Sequence, residues 1–166
     1  PVIEKFKHKY QLVQLVVIAD AGLLSNENIN ELQSRQYEYI LGARIKNESL
    51  QLKNKILSVK FENGQSVEWI KDENTKLIVS YSEARAKKDA ANRKKGLEKL
   101  ERSIANGKLT KSNINNRGYN KYLKLEGEIK ITNDKAKYLD DAKWDGLKGY
   151  ITNTELSKEK KKKNYK

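Results

Sequence analysis

The stretch Gln14–Leu23 constrains the fold more than any other. Leu15-Val16-Val17-Ile18-Ala19 is a near-continuous apolar run with two adjacent valines, closed by Asp20 and then Ala21-Gly22. Such a run predicts a strand buried on both faces of a sheet. Asp20 falls at the carboxyl end of that strand, where ligands gather in open α/β sheets. Gly22 lets the chain turn sharply just beyond it. An acid so placed is how α/β enzymes present a metal-binding carboxylate, yet Asp and Gly are also ordinary strand-to-helix turn residues. Spacing alone leaves both roles open.

The segments that follow extend this unit. Ser25 is placed to cap a helix over about 26–36, with Glu27 and Glu31 toward its positive end and Ile29 and Leu32 on its inner face. Tyr37–Ile45 reads as a second strand. Strand, helix and strand of this length predict a βαβ unit with a right-handed crossover and parallel strands. Upstream, Val2, Ile3, Phe6 and Tyr10 make one apolar helical face, and His8 falls off it.

After Lys46 the texture changes. Ile56–Glu62 and Ser66–Lys71 flank Asn63-Gly64, a hairpin signal because a type I′ turn needs positive φ at both central residues. Lys76–Ser82 reads as a further strand, and the region as a small antiparallel sheet. A long helix is expected from Glu83 to about Asn106, with Ala86, Ala90, Leu97, Leu100 and Ile104 on one stripe. Gly96 weakens that helix, and Asn106-Gly107 ends it. Lys108–Asn120 is polar and begins as a short helix; Lys121–Glu126 and Glu128–Thr132 read as strands, Asp134–Ala142 as a helix and Leu147–Thr152 as a last strand. The Lys-rich stretch after Ser157 is either a helix start or disordered. There are no internal repeats.

Composition narrows the chemistry. The 166 residues contain no Cys and one His, so thiolate and histidine-cluster metal sites are excluded. Any metal site must be oxygen-ligated, of the Mg²⁺ or Mn²⁺ kind. No apolar run approaches the ~20 residues of a membrane helix, which predicts a soluble, cytoplasmic protein. The chain starts at Pro1, lacks Met and shows no signal-peptide order, which reads as an excised piece of a longer protein. The net charge of +13 is localised: residues 83–126 carry 13 Lys/Arg against 5 Asp/Glu, and residues 158–166 carry 6 Lys against one Glu. Localised basicity of this kind suits a polyanion, because neutralised phosphates release their counterions. A solvated, charge-laced helix with a basic tail accounts for the same counts.

Taken in order, Val16–Leu23, Tyr39–Lys46, Val79–Asp89 and Asp141–Asn153 resemble the DDE transposases of bacterial insertion sequences, in the insertion-sequence-four superfamily. The resemblance runs through most of the chain. It implies a fold of the α/β class, a partial ribonuclease H-like core (strand-helix-strand) with a large α+β insertion subdomain. Residues 1–46 would be part of the catalytic core, 47–146 the insertion with antiparallel strands and basic helices, and 147–166 the return to the core and the start of the last catalytic helix. It further implies that three acids, Asp, Asp and Glu, hold two divalent metal ions, and that Asp20 is the second of them. The first Asp would lie upstream of this chain, and Asn164-Tyr165-Lys166 resembles the opening of a Tyr-Arg-Glu-Lys signature whose Glu carries the third.

Two metals ~4 Å apart activate the attacking oxygen and stabilise the leaving oxygen of a phosphodiester displacement. One carboxylate cannot hold both ions. The intact enzyme would thus use Mg²⁺ or Mn²⁺ for DNA cleavage and strand transfer at transposon ends, whereas this chain alone is expected to bind none and to be inactive. The competing reading is a non-catalytic, basic DNA-binding remnant of a transposase; a basic interaction module without nucleic acid is a third.

Candidate DNA contacts follow from type and place. Arg44 ends a strand on the edge that carries Asp20, where a phosphate contact and a structural ion pair are equally open. The basic helix offers Arg85, Lys87, Lys88, Arg93, Lys94, Lys95, Lys99 and Arg102. Trp144, before the Asp145-Gly146 turn, could stack on an extruded base or fill a core. Asp140, Asp141 and Asp145 form the other acid cluster, and helix-end and turn roles account for them. An exposed parallel strand edge would favour a homo-oligomer.

Overall fold

The computed structural model describes residues 5, 8–11, 15–23, 25–126 and 130–155. The apolar face read over residues 1–10 falls mostly outside these, and the Lys-rich stretch after Ser157 falls wholly outside. The chain is of the α/β class and forms two compact units, one comprising residues 1–56, 65–80 and 148–166, the other 57–64 and 81–147.

The first unit is built on a five-stranded mixed sheet. In chain order its strands are β1 (Val16–Ala19), β2 (Glu38–Ala43), β3 (Ser66–Ile70), β4 (Lys76–Tyr81) and β7 (Leu147–Thr152), in the spatial order β1-β2-β7-β4-β3. β1 and β2 are parallel, with Ala19 opposite Leu41, and are joined by helix α1 (Asn26–Ser34). Ser25 is extended and its hydroxyl accepts from the Asn28 N–H at 3.1 Å, so the capping serine read from the sequence starts the crossover helix. β7 returns antiparallel to β2, with Gly149 opposite Ala43. β3 and β4 extend the same sheet instead of forming a separate one.

Two expectations need correction. β1 is an edge strand with one neighbour, so its run is not buried on both faces; Ile18 is 41% exposed. Nor does Asn63-Gly64 close a hairpin. Residues Leu50–Ser58 form helix α2, with Ile56 fully buried. The hairpin that does form joins β3 to β4 through 71–75, where Asp72 Oδ1 accepts from the Asn74 N–H and Lys71 N–H donates to the Thr75 carbonyl.

The core of this unit lies on the central strands, where Tyr39, Ile40, Leu41, Leu77, Ile78, Val79 and Ile151 are buried. Asn153 prolongs the β2–β7 ladder past its end: its Oδ1 accepts from the Tyr39 N–H and its Nδ2 donates to the Tyr37 carbonyl, both at 2.9 Å. One amide side chain thereby takes the place of a backbone partner for two residues of β2.

The second unit is organised by helix α3 (Glu83–Ala105), followed by the hairpin of β5 (Leu123–Glu126) and β6 (Lys130–Asn133) and by helix α4 (Lys135–Ala142). Leu100, Tyr122 and Leu123 form its core, with Ile104, Leu109, Ile114, Ile131 and Tyr138 packed around them. Asn63-Gly64 belongs here. Asn63 Oδ1 accepts from the Glu83 N–H at 3.0 Å, and the Gly64 N–H, on a residue with φ +86°, donates to the Tyr81 carbonyl. Asn63, together with Ser82, whose hydroxyl accepts from the Arg85 N–H, thus satisfies amides that the start of α3 leaves without partners.

Gly146 is required twice over at the other side of that helix start. Its φ is +79°, and a Cβ there would lie 2.6 Å from the Tyr81 ring and 2.8 Å from the Ser82 carbonyl oxygen. Its N–H donates to Asp89 Oδ2 and its carbonyl accepts from the Ser82 N–H. Gly146→Ala is expected to cost about 2–4 kcal/mol, from left-handed strain plus overlap. Gly64→Ala, with the same backbone need but nothing within 4 Å, should cost only about 1 kcal/mol. Urea melts of the two variants check the difference.

Candidate functional site

Asp20 stands beyond the carboxyl end of β1, exposed to solvent, and residues 21–23 turn immediately after it. Its Oδ1 accepts from the Gly22 N–H at 3.0 Å. That bond orients the carboxylate and uses one of its lone pairs, leaving the rest of the group open. Arg44, one residue past β2, donates through its guanidinium to the Ala21 carbonyl at 3.3 Å. The parallel pairing of β1 and β2 is what brings this exposed cation to the turn that carries Asp20.

Several acids elsewhere have structural partners. Asp145 pairs with Arg93, whose guanidinium also lies over the Tyr138 ring at 5.2 Å. Its bond to Asp145 raises the Arg93 pKa further above its ordinary value. Asp141 pairs with Lys121 and accepts from the Tyr122 hydroxyl at 2.6 Å. Asp140 pairs with Lys143 at 2.9 Å on the surface. Glu73 and Glu155 line an open polar depression of about 290 Å³ with Gln33, Asn74, Lys76 and Asn153, and Lys76 is held by Glu155 at 2.9 Å. Gln33 and Asn153 flank the amino end of β2, so the depression and Asp20 lie at opposite ends of the strands.

Among the described residues no three His, Cys, Asp or Glu side chains come together as a metal cluster. The described residues do not fit a two-metal centre by themselves. Asp20 could contribute one ligand, and the remaining carboxylates would have to come from outside the described residues.

The basic candidates on α3 separate into different roles. Arg85, Lys87, Lys88, Lys94 and Lys95 are exposed, as are Lys99 and Arg102. Arg93 is not one of the exposed set: its side chain is 11% exposed and holds Asp145. Trp144 is 8% exposed and belongs to the buried residues. Sequence reasoning passed over Tyr119. Its ring lies against Gly96, where a Cβ would stand 2.4 Å from two ring carbons, and the residue remains 40% exposed. A glycine in the middle of an otherwise regular charged helix was the available signal, since it marks close approach by another group.

Burial and the bond to Asp141 push the Tyr122 hydroxyl well above its usual range. The folded form therefore keeps a proton that the unfolded chain releases near pH 10, so this contribution holds below about pH 10 and declines above it. Tyr122→Phe should lose about 1 kcal/mol at neutral pH, from the hydrogen bond. It should also show a shallower alkaline loss of stability than wild type, read by thermal melts at stepped pH.

Comparison with family models, with curated proteins and with solved structures gives no significant match to this chain.

Proposed function

We propose that the chain is part of a DDE transposase catalytic region with a ribonuclease H-like core, to which it supplies the second acid, Asp20, and a DNA-contacting helix, α3. The intact enzyme would cleave DNA and transfer strands at transposon ends. The observation that carries this reading is the β1–α1–β2 unit: an acid ends a strand that pairs in parallel with the next, as the order of segments in that family requires. Arg44, bonded to the chain just after Asp20, is a cation at the place where a scissile phosphate would need one. The divalent ions of such an enzyme would take Asp20 together with carboxylates outside the described residues.

The second reading, a non-catalytic DNA-binding module, is favoured by a different observation. Among the described residues Asp20 belongs to no group of three metal-ligating side chains, whereas the cations of α3 other than Arg93 are exposed and α3 packs on a core of its own. The two readings agree on the partner, DNA, and differ on the chemistry.

Expression of the chain with its adjoining coding sequence separates them. The transposase reading expects Mg²⁺-dependent nicking of supercoiled plasmid that Asp20→Asn abolishes and the surface change Asp140→Asn leaves intact. Nicking indifferent to Asp20, or stop codons directly flanking the segment, would sink it in favour of the binding module.

A further inference from the structure

The cations of α3 are not evenly distributed around the helix. At 100° per residue, Lys88, Lys95, Lys99 and Arg102 fall within an arc of about 60°. They are exposed, and none of them forms an ion pair among the described residues. The arc contains no acid. Glu83, Glu98 and Glu101 lie on the opposite flank of the outward face, alternating there with Lys87 and Lys94. One flank is thus electrically mixed and the other is a pure cationic stripe, about 21 Å long at 1.5 Å per residue.

An aromatic ring borders this stripe. Asn92 and Lys99 stand one turn before and after Gly96, and the Tyr119 ring is seated on Gly96 because no side chain there keeps it away. Tyr119 is held from behind by the tilted Tyr122 ring, at 6.3 Å between centroids, and is 40% exposed. A duplex hides the faces of its bases, so a ring at the edge of a phosphate track has no base to stack on there. A single strand offers one. An apolar helix face that could insert into a lipid surface is lacking on this side, because the residues flanking the stripe are Ala91 and Glu98 on one side and Asn92 on the other.

We propose that α3 is a single-strand DNA track, on which Lys88, Lys95, Lys99 and Arg102 hold successive phosphates and Tyr119 stacks an unpaired base. This deepens the DNA-binding reading above and rests on it. Arg93 and Trp144 have no part in the track, since one holds Asp145 and the other is buried. The glycine at position 96 is explained as the seat of the stacking ring.

The test is a salt titration of the whole chain with a fluorescent oligothymidylate and with duplex DNA of equal length. Log affinity for the single strand should fall with log salt by about 0.7 per phosphate held, giving a slope near −3 for four contacts. Lys95→Gln with Lys99→Gln should make it shallower by about 1.4, whereas Lys135→Gln with Lys137→Gln, on α4, should leave it unchanged. Tyr119→Ala should weaken single-strand binding about tenfold or more, and Tyr119→Phe should restore it. A duplex melt-independent control is the circular dichroism spectrum of Tyr119→Ala, which should match wild type; if it does not, the Phe variant and the paired lysine changes decide. Equal affinity for both DNAs with no Tyr119 effect would overturn the track while keeping the DNA reading. A flat salt dependence with both DNAs, or tighter binding to phosphatidylserine vesicles than to DNA, would overturn both.

Discussion

Strand β2 is the element on which the first unit depends, because its backbone is paired on both sides by strands of opposite sense. β1 joins it in parallel from 22 residues upstream, and β7 joins it antiparallel from more than 100 residues downstream. Tyr39, Ile40 and Leu41 are almost wholly buried, so any unpaired amide among them would carry the full cost of desolvation. β7 ends before the ladder is complete, and Asn153 closes it with both ends of one amide. Thr152 adds its hydroxyl to the Tyr39 carbonyl. The position of Asp20 is a consequence: among the described residues β1 pairs with β2 alone, and the acid follows its last paired residue.

The second unit depends in the same way on the start of α3. Four amides at a helix start lack intrahelical partners, and here Ser82 and Asn63 answer for two of them. Asp89, one turn further on, reaches the Gly146 N–H, and Arg93, a turn beyond that, holds Asp145. The inward charges of α3 are therefore spent on the turn that follows α4, and the outward ones are left to solvent. That division is why a helix rich in Lys and Arg has one structural arginine and a stripe of cations that form no ion pair among the described residues.

Much of this was legible locally. Ser25 caps the helix that follows it, Asn106-Gly107 ends α3, and Leu147–Thr152 forms a strand over the range its sequence indicates. The helix ends rest on contacts within about four residues, and the strand on a run of side-chain types that favours an extended backbone. Asn63-Gly64 shows where that logic stops. The dipeptide does bend the chain with a positive φ, but its donors and acceptors go to Tyr81 and Glu83, so the bend serves a helix start and not a hairpin. Ile18 shows the same limit for burial, because an apolar run cannot reveal whether a second neighbour strand stands beside it.

The amino-acid sequence by itself determined most of the periodic elements outside residues 50–62, the cap at Ser25, the acid at the end of β1 and the concentration of positive charge on one helix. Those follow from short-range sterics, hydrogen bonding and side-chain type. Only the tertiary structure decided the order of strands, the burial of Trp144, the assignment of Arg93 to Asp145 and the seating of Tyr119 on Gly96. These contacts span 23 or more residues, and each is settled by which groups the whole packing brings within a few ångströms, information that no local window of the chain contains.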